Sequence, residues 1–274
     1  MTHVNPHTSW TETAYDWFQR SKRKRAQDEI PKDPSSAAWS FFRSGSGISF
    51  MDAAFRRHTT DTLPVIHLMG DVAKTWTLLS LAARFVVQTR PSQFTFTTTS
   101  ADILPQVLWL DSHQEVIASQ LAHVVRSTLL RHMNTAMADV NDERQLAHDL
   151  QDCCERIHVA RVATDDWVPL LECWRHQLAV SASDYPTLIL WDGFLEHDDD
   201  VARTEIVRQL SRLLEQCSVV LVTASSSQRN FEWDRFITQR VRLQRNAVTG
   251  GHEYLATVQA LQIPFSISAS GILS

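Results

Sequence analysis

Leu63-Pro-Val-Ile-His-Leu-Met-Gly70-Asp-Val-Ala-Lys74-Thr75 is the stretch that decides the fold. Its apolar run reads as a buried strand, Gly70 ends it, and Lys74-Thr75 opens a helix rich in Leu and Ala. That is the outline of a phosphate-binding P-loop, G-x-x-x-x-G-K-[ST]. In such a loop backbone N–H groups wrap the phosphates and a lysine adds charge. Here the outline is damaged. Counted from Gly70, the Lys-Thr pair comes two residues early, and Ala73 stands where the second glycine belongs. The stretch therefore reads as a nucleotide-binding scaffold with a reduced site, a design that suits a partner-binding subunit better than a vigorous ATPase.

Outward from this stretch the pattern is regular. Strands are expected at Leu63–Met69, Gln106–Asp111, Arg156–Val162, Thr187–Asp192 and Ser218–Ala224. Helices are expected at Thr75–Gln88, Gln114–His132, Asn141–Glu155, Asp165–Leu178 and Asp200–Gln216, with a Thr/Ser-rich loop over Pro91–Pro105. Several of the strands are apolar throughout. Strands buried on both sides and alternating with helices predict a mainly parallel sheet covered on both faces. After residue 225 the helices stop. Phe236–Leu243, His252–Val258 and Phe265–Ala269 read as consecutive antiparallel strands, with Gly250-Gly251 as a hairpin turn. The expected fold class is α/β, a parallel core followed by a C-terminal antiparallel meander, over residues 61–274.

Residues 1–60 read as an N-terminal helical extension and linker. Ser9-Trp-Thr-Glu12 has the form of a capping box, and Trp10, Ala14, Trp17 and Phe18 fall on one helix face. The helix runs into the basic Arg20–Arg25, a nuclear-import signal, a phosphate contact or a solvated helix end. The aromatic face needs a partner, either the protein's own core or another subunit. Phe41, Phe42, Ile48, Phe50, Ala54 and Phe55 supply further apolar anchors.

The 274 residues carry a formal net charge of -5, so any nucleic-acid contact has to come from a local basic patch. The four cysteines form no C-x-x-C pair, which argues against a zinc ribbon and fits a reducing compartment. The twelve histidines include no H-E-x-x-H, so no metal centre of that kind is expected. No apolar run approaches the ~18 residues that a membrane span needs.

Candidate site residues cluster at strand ends. Leu188-Ile-Leu-Trp-Asp192 has the form of a Walker B strand, whose acidic end holds Mg²⁺ through water. Gly70, Lys74, Thr75 and Asp192 are thus the candidate nucleotide-binding set, with ATP and Mg as weak or absent cofactors. Asp111 either orients a water or caps the next helix. Thr223-Ala-Ser-Ser-Ser227 ends a core strand, where polar side chains sense a γ-phosphate, line a crevice or simply form a loop. Arg229, Phe231, Trp233 and Arg235 interleave cations with aromatics, the combination that single-stranded nucleic acid uses for phosphate pairing and base stacking. Arg240 and Arg242 extend this basic character, on one face of their strand. The candidate DNA-binding residues are therefore Arg229, Trp233, Arg235, Arg240 and Arg242. His197-Asp-Asp-Asp200 reads as an acidic loop or a helix start.

The order of these features resembles the RecA-type recombinases, and within them the small DNA-repair paralogues of the X-ray repair cross-complementing group. The resemblance rests on Gly70–Thr75, Val107-Leu-Trp-Leu-Asp111 with its following helix, Thr187–Asp192, Val219–Ser227 and the ending Phe265-Ser-Ile-Ser-Ala-Ser-Gly271-Ile272. It implies a RecA-like P-loop NTPase core and a subunit that supports homologous recombination of double-strand breaks in the nucleus. The implied partners are other recombinase paralogues and single-stranded or branched DNA. It also implies Lys74 and Thr75 as the phosphate and Mg²⁺ positions and Asp192 as the Walker B aspartate. Where active recombinases carry a glutamate after the second core strand, His113 follows Asp111-Ser112. Two other readings stand beside it: a RecA-like scaffold subunit of an Elongator-type tRNA-modification complex, and a P-loop ATPase with a shortened loop.

Overall fold

The computed structural model describes Phe41 and residues 45–56, 64–70, 72–90, 105–114, 116–135, 143–161, 166–180, 187–194, 200–217, 219–226, 231–247 and 253–273. The expected N-terminal helix over 9–25, the loop between 91 and 104 and the Gly250-Gly251 turn lie outside the described residues.

In chain order the elements are α1 (Ser49–Arg56), β1 (Val65–Met69), α2 (Lys74–Gln88), β2 (Val107–Asp111), α3 (Ala118–Thr135), α4 (Glu143–Glu155), β3 (Ile157–Ala160) and α5 (Trp167–Val180). They continue with β4 (Thr187–Asp192), α6 (Asp200–Gln216), β5 (Val219–Ser225), α7 (Phe231–Asp234), β6 (Gln239–Arg245), β7 (Tyr254–Val258), β8 (Leu261–Ser268) and β9 (Gly271–Leu273).

The strands form one nine-stranded sheet in the order β3-β2-β4-β5-β1-β6-β7-β8-β9. Strands β3, β2, β4, β5, β1 and β6 pair in parallel. From β6 to β9 each strand pairs antiparallel with the next. This is the expected RecA-like layout, a parallel sheet with an antiparallel C-terminal meander.

Strand periodicity explains the two layers. Side chains alternate across a strand, so a run apolar at every position must be buried on both faces. Ile66, Leu68, Val107, Trp109, Leu188, Leu190, Val220 and Val222 point into one apolar cluster, with Leu78 and Phe85 of α2, Val124 of α3 and Cys153 of α4. Val65, Leu108, Leu110, Ile189, Trp191, Val219 and Leu221 point into the other, against Trp167 and Leu171 of α5 and Ile206, Leu210 and Leu213 of α6. Each such side chain contributes roughly 1.5–3 kcal/mol on burial.

The segment before β1, read from sequence as extension and linker, brings apolar residues into the first cluster. Phe41, Ile48, Phe50, Met51 and Phe55 are buried there. The Phe50 ring lies 4.9 Å from Phe265, and the Phe41 ring lies 5.1 Å edge-on to Phe85. Asp52 fixes the turn that precedes α1. Its carboxylate accepts from the Ser46 N–H, from the Ser46 hydroxyl at 2.6 Å and from the Gly47 N–H at 3.2 Å.

Three boundaries differ from expectation. Helix α3 starts at Ala118 rather than Gln114, because Gln114 takes a positive φ of 57° and Asp111 holds the turn before the helix. The strand expected at Phe265–Ala269 begins at Leu261, since Pro264, which reads as a break, sits within the ladder opposite Leu255. A further short strand, β9, folds back on β8 through the turn at 269–270. The meander is also preceded by a four-residue helix, α7, where no helix was expected.

The register brings the functional ends together. Asp111 lies opposite Asp192, Asp192 opposite Ala224, and Met69 opposite both Ser225 and Arg242. The carboxyl ends of β2, β4, β5 and β1 therefore share one edge of the sheet.

Candidate functional site

At that edge β1 gives way to the shortened loop. Gly70 has a φ of 132°, and a Cβ placed on it would stand 2.0 Å from the Leu243 carbonyl oxygen. The neighbouring strand β6 thus requires this glycine, whatever the loop binds. Ala73, the N-cap of α2, has a φ of 63° and no side-chain cap. A left-handed conformation costs a residue with a Cβ roughly 1–2 kcal/mol. The short loop forces alanine into the backbone that glycine adopts freely. Thr77 secures the turn, its N–H donating to the Ala73 carbonyl at 2.9 Å and its hydroxyl at 2.7 Å.

Helix α2 then presents Lys74 and Thr75 at its first turn. The Thr75 hydroxyl donates to Asp192 Oδ2 at 2.6 Å. Asp192 ends the buried strand β4 and is 1% exposed. Together they border a cleft of about 480 Å³, whose walls include Lys74, Trp76, His113, Gln120 and Ser226. That volume lies within the usual range for small-molecule sites. A hydroxyl and a carboxylate in contact are hard oxygen donors of the kind Mg²⁺ takes beside substrate phosphates. The residues fit the metal. The phosphate cradle is poorer, because three residues rather than five separate Gly70 from Lys74.

Asp111 takes the capping role. Its Oδ2 accepts the Val116 N–H at 3.1 Å and the Arg161 Nε–H at 2.9 Å, and its side chain is fully buried. These bonds hold the segment that follows β2. There Ser112 N–H donates to the Asp192 carbonyl at 3.2 Å, and the Ser112 hydroxyl accepts from Trp191 Nε1 at 3.1 Å. His113 comes next, exposed and on the cleft wall. Its ring packs on Gly193, where an added Cβ would come 2.6 Å from His113 Nε2.

The strand end at Thr223 does not face a ligand. Thr223 is fully buried and its Oγ1 lies 2.7 Å from His67 Nδ1, while the Ser225 Oγ lies 3.3 Å from His67 Nε2. These hydroxyls satisfy a buried imidazole, and Ser226 is the member of that run on the cleft wall. Burial, and next the positive charge of Arg240, bring the His67 pKa down to about 4. It is therefore neutral at pH 7.

The aromatic and basic residues separate. Trp233 is 2% exposed, its ring 5.0 Å from Phe194 and 5.4 Å from Phe236. It belongs to the core and offers no face to a base, which corrects its assignment to DNA binding. The Arg235 guanidinium stacks 4.7 Å over Phe236. Arg240 pairs with Asp234 at 2.8 Å. Arg240 and Arg242 do share the exposed face of β6, opposite buried Val241 and Leu243. Arg229 and the Phe231 side chain lie outside the described residues.

Sequence reasoning passed over His67, Trp76 and Gln120. A single histidine inside an otherwise apolar strand was the available signal for His67. Trp76 and Gln120 carry no local signal, since only the packing of α2 against α3 places both at the cleft.

No family model matches the chain, and no curated protein matches it. Among solved structures it is similar to the ATPase domain of a RecA-like helicase, at 10% identity and a TM-score of 0.53, over 97% of this chain and 99% of that domain. At that identity the likeness establishes the RecA-like fold.

Proposed function

We propose that the chain is a RecA-like, non-catalytic subunit of a DNA-repair complex that supports homologous recombination of double-strand breaks and binds nucleotide weakly. One observation carries this reading: the Thr75–Asp192 pair is intact at 2.6 Å, while the loop that should cradle the phosphates is two residues short. An anchored metal position without a full set of backbone N–H donors binds phosphate poorly. When bound, Mg²⁺ supplies charge neutralisation between phosphates. Lys74 adds a cation, Thr75 and Asp192 hold the metal, and buried Asp111 is committed to Arg161 and the Val116 N–H rather than to a water.

An ATPase domain of the same fold supports nucleotide as the ligand class. The order of motifs supports the recombinase-paralogue assignment, with other RecA-type paralogues as partners and the nucleus as the site of action. Exposed Arg240 and Arg242 support contact with single-stranded or branched DNA. The test is affinity purification of the tagged chain from its own cells, with partners identified by mass spectrometry. Recombinase paralogues in the eluate support the reading. Elongator subunits, or no partner together with no affinity for single-stranded DNA at low salt, overturn it.

A further inference from the structure

We propose that His113 is the residue by which this cleft tells a nucleoside triphosphate from a diphosphate. The inference rests on the nucleotide reading of the cleft. Thr75 and Asp192 mark where a metal between phosphates would sit, at the first turn of α2. His113 reaches the cleft from the β2 side, beyond the end of β4. Its imidazole lies directly on Gly193, the residue after Asp192, so close that a Cβ there would meet Nε2 at 2.6 Å. Gly193 has a φ of 75°, a second reason why a side chain is disfavoured at that point.

The imidazole is positioned from below. Asp111 anchors the turn through the Val116 N–H and Arg161, and Ser112 ties it to β4 through the Asp192 carbonyl and Trp191 Nε1. A phosphate chain that starts at Lys74 and crosses the metal position runs toward this ring. Two phosphates end at the metal, and a third extends to the His113 side. A neutral imidazole always carries one N–H donor. Among the described residues that line the cleft, Asp192 is the one carboxylate, so the His113 side offers the third phosphate a donor and no repulsion.

The test is calorimetric titration of the full-length protein with Mg·ATP and with Mg·ADP, for wild type, His113→Ala and His113→Gln. His113 is exposed, so its truncation leaves the core intact, and a thermal melt of each variant checks this. Wild type should bind Mg·ATP roughly tenfold more tightly than Mg·ADP, the worth of one hydrogen bond to a charged group. His113→Ala should remove that preference through loss of ATP affinity alone, and His113→Gln, which keeps a donor, should retain part of it. An unchanged ATP preference in His113→Ala overturns the inference and leaves nucleotide binding standing. Failure of wild type to bind either nucleotide overturns the reading of the cleft, and this inference with it.

Discussion

Thr75 Oγ1 and Asp192 Oδ2 meet at 2.6 Å across 117 residues of sequence. One opens the helix after β1 and the other closes β4, so the parallel register must be correct for them to touch. The sheet brings them together through β5, which lies between β1 and β4.

If this pair holds a metal, Asp192→Asn removes the anionic ligand while keeping its shape. Affinity for ATP in the presence of Mg²⁺ should fall by ~10-fold or more, as for losses around other metal sites. Affinity without Mg²⁺ should change far less. Titrations with and without the metal separate the two, and equal losses in both would remove the metal from the site.

Ala73 gives a prediction of the opposite sign. Its φ of 63° is strained for alanine and ordinary for glycine. Ala73→Gly should stabilise the fold by about 1 kcal/mol, the cost of the left-handed conformation less the added chain entropy of glycine. Urea denaturation reads this as a higher midpoint at an unchanged slope. A lower midpoint would mean that the loop relaxes some other way.

His67 sets a pH dependence. Its folded pKa, lowered from 6.5 to about 4 chiefly by burial, makes the unfolded chain the better proton acceptor between those values. Its contribution is present above pH 6.5 and is lost as pH falls toward 4, at a cost of roughly 2 kcal/mol by pH 5. Thermal melts at pH 7.5 and 5 should show the loss, and His67→Gln, which cannot be protonated, should show a shallower dependence. Parallel profiles for the two proteins would contradict this.

Trp233 and the Arg240/Arg242 pair should part company on mutation. Trp233→Ala empties a site between Phe194 and Phe236 and should cost about 3–5 kcal/mol of stability. Arg240→Ala with Arg242→Ala should leave stability nearly unchanged, since both side chains are exposed. The double variant should lose affinity for a single-stranded oligonucleotide and show a smaller salt slope. Wild-type affinity in the double variant would remove β6 from the DNA contact.

The layered α/β core was legible because β1, β2, β4 and β5 are apolar on both faces, a pattern that only a covered parallel sheet explains. The Thr75–Asp192 contact was legible because each partner belongs to a short motif that names its own role. Trp233 was misread because a tryptophan among arginines has the same local pattern whether it faces a base or the core. Its burial depends on Phe194, which comes 39 positions earlier in the chain. Thr223 was misread for a related reason: its partner, His67, lies on another strand. Gly70 was credited to phosphate, whereas the approach of Leu243 already demands it.

The central claim is a cleft that holds nucleotide without consuming it. The most direct measurement incubates the purified full-length protein with Mg²⁺ and radiolabelled ATP, then scores bound label and released phosphate in the same sample. The account predicts weak, saturable retention of intact ATP, abolished in Lys74→Ala, with no phosphate release above the protein-free control. Sustained phosphate release that Lys74→Ala abolishes would contradict it, as would the absence of any retained nucleotide.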